Sequence, residues 1–294
     1  MGAADVVPGV SGGTIAFISG IYEELITAIN HLNLEALQLL RQKRFFRLWK
    51  HINGNFLSAL ISGIIISVIF LAGGVKWLLE NEPVLLWSFF FGLVLCSILF
   101  VARAIDRWNI ATFLFLLAGV GGAYYITTLP PLSTPESFMF LFLSGALAIC
   151  AMILPGISGA FILVLLGAYP TILGAINERD FALLGITALG ALFGLLSFSR
   201  LLKWLFVHYK NVTLSLLTGF IIGSLNKIWP WKKTISWYIN ADGEQVPLLQ
   251  KSVSPFRYSG DPQLFWAILL AAVGLLTIFF LEKLAAKKPV YAHD

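Results

Sequence analysis

Charged residues divide this chain into long blocks that carry none: Ile52–Val75, Pro83–Ala102, Trp108–Pro135, Ser137–Asn177, Phe181–Ser199, Asn211–Asn226 and Pro262–Leu281. Most of them are long enough to cross a bilayer, which takes about 20 residues of helix. The block Ser137–Asn177 exceeds that need. Its 41 residues, as one straight helix rising about 1.5 Å per residue, would measure about twice the thickness of the hydrocarbon layer. It therefore folds back on itself. Pro155 and Gly156 supply the break, because proline cannot donate a helical hydrogen bond and glycine tolerates the turn. The hairpin begins and ends on the same side of the membrane. The pattern predicts an all-α polytopic membrane protein.

Composition sharpens this picture. Of 294 residues, 58% are hydrophobic and 12% charged, with a mean hydropathy of +0.85. A water-soluble domain carries about twice that charged fraction, so this class is excluded. The net charge of +5 does not point to nucleic acid, since lysine and arginine collect in the cytoplasmic loops of membrane proteins and set their orientation. Cys96 and Cys150 lie inside apolar blocks with no CxxC spacing and no neighbouring histidine, so they read as small core residues, and no metal site is indicated.

The chain repeats itself. Pro8-Gly9-Val10-Ser11-Gly12-Gly13 returns 147 positions later as Pro155-Gly156-Ile157-Ser158-Gly159-Ala160, and the same offset pairs Gly20 with Gly167, Tyr22 with Tyr169 and Asn30 with Asn177. At an offset of 127, Lys76-Trp77-Leu78 pairs with Lys203-Trp204-Leu205, Gly63 with Gly190, Gly92 with Gly219 and Ser97 with Ser224. Two units are expected. Residues 1–130 hold the motif 8–14, a basic segment 31–54 and crossings near 55–75, 84–102 and 109–128. Residues 137–284 hold the hairpin 137–177, crossings near 181–202, 211–227 and 262–282, and an extracytoplasmic loop 229–262. Residues 1–7 reach only about 10 Å as a helix. An entering arm is therefore expected upstream of Met1, or else the N-terminus begins within the membrane.

Three crossings separate the two hairpins, so the second enters from the face opposite the first. The units then form an inverted-topology repeat, an architecture of secondary transporters. With both termini cytoplasmic, twelve Lys and Arg (41, 43, 44, 47, 50, 103, 107, 203, 210, 283, 287 and 288) fall inside and seven (76, 179, 227, 232, 233, 251 and 257) fall outside. That asymmetry has the expected sign. Within 31–54, Arg41, Lys43, Arg44, Arg47 and Lys50 alternate with leucine, Phe45, Phe46 and Trp49, which suits a helix lying against anionic headgroups or a solvated basic loop.

The motif itself carries chemistry. A Pro-Gly break followed by Ser-Gly-Gly-Thr opens a helix whose first N–H groups have no partner, and inside lipid such groups need an acceptor. An anion supplies one, helped by the helix dipole. Ser11, Gly12, Gly13 and Thr14 in one copy and Ser158, Gly159 and Ala160 in the other are the candidate anion-binding residues. The alternative is that Ser11 and Ser158 only cap their helices while the glycines allow tight packing. Arg200 and Arg103 are candidate cations for the same anion, or else snorkel to the inner headgroups. Asn226 and Lys227, just before Trp229-Pro230-Trp231, are candidates for meeting it at the outer face, or else anchor the aromatic belt. Asp5, Glu23 and Glu24 are the acids nearest the first motif and the candidates for coupling transport to a proton or cation. No catalytic residue is assigned. Gly9-Val10-Ser11-Gly12-Gly13 fits G-x-S-x-G, but a nucleophilic serine needs a base within reach, and His31, His51, His208 and His293 lie in loops or at helix ends.

Two resemblances follow. The undecaprenyl pyrophosphate phosphatases resemble this chain in a membrane P-G-x-S-R-S motif and inverted repeats. Here, however, the serine is followed by Gly12 or Gly159 instead of arginine, and the acidic E-G-x-T-E motif is absent. The stronger likeness rests on Met1-Gly2-Ala3-Ala4-Asp5-Val6-Val7-Pro8-Gly9-Val10-Ser11-Gly12-Gly13-Thr14, Gly20-Ile21-Tyr22-Glu23-Glu24, Ile153-Leu154-Pro155-Gly156-Ile157-Ser158-Gly159, Ser197-Phe198-Ser199-Arg200-Leu201-Leu202 and Gly223-Ser224-Leu225-Asn226-Lys227-Ile228-Trp229-Pro230-Trp231. Over nearly its whole length the chain resembles the polyprenyl-phosphate transporter family, PopT-like. The resemblance implies a protein of the bacterial inner membrane that returns undecaprenyl phosphate, the carrier lipid of cell-wall synthesis, from the outer to the inner leaflet, without catalysis and without a cofactor. The alternatives are a phosphatase acting on undecaprenyl pyrophosphate and a transporter of a small soluble anion.

Overall fold

The computed structural model describes residues 1–2, 11–129, 137–239 and 245–285. Asp5 and the Pro8-Gly9-Val10 stretch of the first motif lie outside them.

Twelve helices and one β-hairpin follow in order among the described residues: α1 (Gly12–Ile18), α2 (Tyr22–Asn30), α3 (Leu34–Arg41), α4 (Phe45–His51), α5 (Gly54–Asn81), α6 (Pro83–Arg103), α7 (Ile110–Thr128), α8 (Phe138–Ile153), α9 (Gly159–Leu165), α10 (Tyr169–Glu178), α11 (Phe181–Ser224), β1 (Lys232–Ile239), β2 (Gln245–Ser252) and α12 (Leu264–Ala285). By length and apolarity α5, α6, α7 and α11 are able to cross a membrane, and α9 and α10 form a bent pair at 108°. The chain is a multi-pass helical membrane protein.

Three local outcomes differ from the hydropathy reading. Residues 203–210 were expected to connect two crossings, and the break does fall there, at Tyr209 with φ −137° and ψ 44°, but as a single-residue kink inside the 44-residue α11 and not as a loop. Nothing between Lys203 and Asn211 is glycine or proline, so the helix continues until one residue absorbs the bend. The basic segment is two short helices, separated by Lys43 at φ 55° and ended by Asn53 at φ 53°. Their apolar residues point outward, Phe46 being 83% and Leu34 76% exposed, as an interfacial position requires. Finally, the all-α expectation omits a structure inside the 229–262 loop: β1 and β2 pair antiparallel, with Lys233 opposite Lys251 and Trp237 opposite Pro247.

Glycine decides which helices touch. A side chain on Gly92 or Gly274 would strike the facing backbone of α12 or α6, and the same holds for Gly119, Gly219 and Gly223 between α7 and α11. Gly145, Gly190 and Gly194 do this between α8 and α11, where Gly190 lies against the Phe142 carbonyl. Such backbone-to-backbone approach is how helices associate in lipid, where burial of apolar surface supplies little preference. Ala16, Tyr22, Ile26, Ile153, Leu202 and Leu217 bury together, locking α1 and α2 onto α8 and α11.

Candidate functional site

The two motif regions meet. Helix α8 ends at Ile153, and the last carbonyls of a helix have no intrahelical partner. Side chains of the other motif satisfy them: the Ser11 hydroxyl donates to the Met152 carbonyl at 2.9 Å, and the Tyr22 hydroxyl donates to the Ile153 carbonyl at 3.1 Å. Ser11 Oγ also accepts from the Gly13 amide at 3.1 Å, capping α1. Thr14 Oγ1 accepts from the Gly156 amide at 2.9 Å. Ser11 and Thr14 are each 1% exposed.

Close approach explains the glycines at this junction. A Cβ on Gly13 would lie 2.6 Å from the Ile153 oxygen, and one on Gly159 2.7 Å from the Ala148 oxygen. Both glycines thus admit the backbone of α8. Gly156 carries a further demand, since its φ is +95° and a Cβ would lie 2.7 Å from Ser224 Oγ. Only glycine adopts that conformation at no steric cost. The turn after α8 is therefore clasped between Thr14 on one side and the end of α11 on the other.

The second copy is left more open. Ser158 precedes α9 in extended conformation, φ −90° and ψ 134°, and its hydroxyl makes no capping bond. The residue is half-buried, and while its carbonyl accepts from the Ile162 amide at 3.2 Å, its hydroxyl has no hydrogen-bond partner among the described residues. Phe161, in the first turn of α9, faces Lys227, whose Nζ lies 4.2 Å from the ring centroid. Lys227 follows the end of α11, its amide bonded to the Ser224 carbonyl at 2.8 Å. The Asn226 carbonyl accepts from Ser252 Oγ at 2.9 Å, which ties this turn to the hairpin. Burial pushes the Lys227 ammonium down to about 8.

The remaining candidates do not join this cluster. Arg103 and Arg200 are exposed, Arg103 lying over Phe100 at 5.4 Å. Glu23 is exposed, and the exposed Glu24 accepts from Asn53 Nδ2 at 2.8 Å. Gly12 is buried at the start of α1, and Ala160 is exposed.

With this geometry in view, comparison with known proteins decides the family. A family model described as undecaprenyl phosphate translocase-like matches residues 1–246. A polyprenyl-phosphate transporter of Vibrio cholerae serotype O1 is 47% identical over 291 residues, covering 98% of this chain and 94% of the relative. The chain belongs to the undecaprenyl phosphate translocase-like family. A Staphylococcus aureus polyprenyl-phosphate transporter is 30% identical over 261 residues, 82% of this chain and 87% of that one. No solved structure matches.

For a member of this family, sequence reasoning passed over three groups that shape the junction. Tyr22 and Ser224 enter the sequence reading as repeat matches and within the family motifs, with no role of their own. Phe161 sits in an apolar block, where one more aromatic residue gives no signal. The repeat itself could have exposed Phe161: at the offset of 147 it stands where the first copy has Thr14.

Proposed function

We propose that this protein carries undecaprenyl phosphate across the bacterial inner membrane, returning the carrier lipid to the cytoplasmic leaflet, and does no chemistry on it. The observation that carries the reading is the Lys227 ammonium over Phe161 in the first turn of α9, the helix opened by a motif serine, Ser158, whose hydroxyl has no protein partner among the described residues. A phosphate there would take the cation, the Ser158 hydroxyl and the free amides that open the helix. The polyprenyl tail stays in lipid while the head crosses, which avoids exposing a bare charge to hydrocarbon.

The reading includes an inverted repeat, and reciprocal contacts support it. Gly92 of α6 packs on α12 of the second unit, while its partner at the offset of 127, Gly219 of α11, packs on α7 of the first. Each unit thus lends one crossing to the other. Alternating exposure of a site between two such units is the usual transport mode of this architecture.

Purified protein in liposomes tests the function. The expected result is movement of polyprenyl phosphate between leaflets with no release of inorganic phosphate. Release of phosphate from the pyrophosphorylated lipid would establish a phosphatase instead, and uptake of water-soluble phosphate without lipid transfer would establish a soluble-anion carrier. Orientation is tested separately by single cysteines in a background lacking Cys96 and Cys150. An impermeant reagent on intact cells labels the 229–262 loop and spares the 31–54 segment; equal labelling contradicts the inverted arrangement.

A further inference from the structure

The hairpin base holds a second inward-facing cation. Trp229 Nε1 donates to the Val253 carbonyl at 2.8 Å and Trp231 Nε1 to the Pro262 carbonyl at 2.9 Å, while Trp231 buries with Val84 and Ala267. These contacts fix the start of β1 against α6 and α12. Lys232, the next residue, is therefore turned inward: its Nζ stands 3.3 Å from the centroid of the buried Trp87 ring.

A four-carbon stem ordinarily lets lysine carry its ammonium to water. Lys227 and Lys232 both end on ring faces instead, and neither makes an ion pair with any described residue; the carboxylates seen in ion pairs, those of Glu35, Glu80 and Asp106, have other partners. Burial lowers the Lys232 ammonium well below its usual value, and Lys227, within electrostatic reach, lowers it further. A ring face recovers part of the hydration that a cation gives up, but it supplies no counter-charge. Two like charges held inward, with no acid paired to either among the described residues, are favoured by a ligand that brings negative charge.

We propose that Lys227 and Lys232 form a two-cation site that receives a phosphomonoester and discriminates against phosphodiesters. The argument is one of charge. A phosphomonoester approaches two negative charges near neutral pH, spread over three non-bridging oxygens, whereas a phosphodiester, the head of the common membrane phospholipids, carries a single phosphate charge on two. Paired ammoniums match the first and are left half-compensated by the second. A protein immersed in phosphodiesters needs that discrimination. The site rests on the proposed function only for the lipid tail, because inorganic phosphate shares the chemistry.

The test uses the full chain in detergent, with farnesyl phosphate, inorganic phosphate and phosphatidylglycerol as probes. Native protein is expected to bind farnesyl phosphate, with inorganic phosphate competing weakly and phosphatidylglycerol not at all. Lys232→Gln should weaken farnesyl phosphate at least about tenfold, as loss of a charged hydrogen bond does, and lose the preference over phosphatidylglycerol, while Lys232→Arg keeps both. If the glutamine variant does not fold, Lys232→Met, which retains the stem on Trp87, carries the same reading. On the native protein, farnesyl phosphate should also protect Lys227 and Lys232 from an amine acylating reagent, read by mass spectrometry. Native affinity and preference in a folded Lys232 variant, or no protection of the two lysines, overturns the proposal. Failure of the function is a separate outcome. Protein that moves no polyprenyl phosphate yet binds monoesters through both lysines keeps the site and loses the transport reading; transfer with a dispensable Lys232 does the reverse.

Discussion

The two copies of the motif have nearly the same letters and different employment. In the first, Ser11 and Thr14 are both bonded to the turn that ends α8, Ser11 Oγ donating to Met152 and accepting from Gly13 while Thr14 Oγ1 accepts from Gly156. In the second, the Ser158 hydroxyl is unbonded among the described residues, and Phe161, standing where Thr14 stands in the first copy, faces a lysine. Symmetry in sequence has thus become a division between a copy whose side chains hold the turn after α8 and a copy whose serine hydroxyl is left open among the described residues. The same inequality extends to the crossings. Gly190 lies against the Phe142 carbonyl of α8, whereas its counterpart Gly63 on α5 meets nothing within 4 Å.

The largest test of the comparison uses those paired glycines. Gly190→Leu forces a side chain into the α8 backbone and should abolish folded protein, since overpacking that meets main chain cannot be relieved by a rotamer change. Gly63→Leu points into open space and should leave the melting temperature in detergent unchanged. Equal damage from both would mean that the Gly63 face is covered in the working protein.

Next come the serines, whose effects should cross. Ser11→Ala removes a helix cap and the donor to the partly buried Met152 carbonyl, so it should cost about 1–3 kcal/mol of stability while leaving lipid affinity of the folded fraction intact. Thr14→Val should cost a similar amount, because it strands the Gly156 amide. Ser158→Ala should leave unfolding unchanged and weaken lipid binding about tenfold, the worth of one donor to a charged group. If Ser11→Ala instead weakens binding with no loss of stability, the first copy is part of the phosphate site.

Much of the fold was legible from transfer energies alone. The charge-free block 84–102 became the helix Pro83–Arg103, and the Pro-Gly break in the block 137–177 became the turn between α8 and α9. Hydropathy scores a segment, however, and not the direction of a side chain. It placed Lys227 beside the outer aromatic cluster without showing that the ammonium turns in toward Phe161, and it counted Lys232 as one more outer charge. The Ser11 bond to Met152 joins residues 141 apart, so no local pattern announces it. Repeat reasoning, for its part, treats matched positions as equivalent, which hides the exchange of Thr14 for Phe161. The hairpin was within reach: Thr234, Ile235, Trp237, Tyr238 and Ile239 are β-branched or aromatic, a composition that favours strand.

The smallest effects are expected where the two units begin their first long crossings. Asp180, before α11, accepts from the amides of Ala182 and Leu183 at 3.0 and 3.1 Å. Its counterpart Asn53, at the offset of 127, makes no cap for α5 and turns its amide to Glu24 instead. Asp180→Ala should therefore cost about 1 kcal/mol, the typical worth of an N-cap. Glu24→Gln keeps a carbonyl oxygen for Asn53 at an exposed position, so its cost should stay within about 0.5 kcal/mol. The transfer rate makes this pair informative beyond stability. A carboxylate that relays a coupling proton cannot be replaced by an amide, because the amide does not titrate; one that only accepts a hydrogen bond from Asn53 can. Native transfer by Glu24→Gln in liposomes carrying a proton gradient would assign Glu24 the second role, and loss of transfer with unchanged melting would assign it the first.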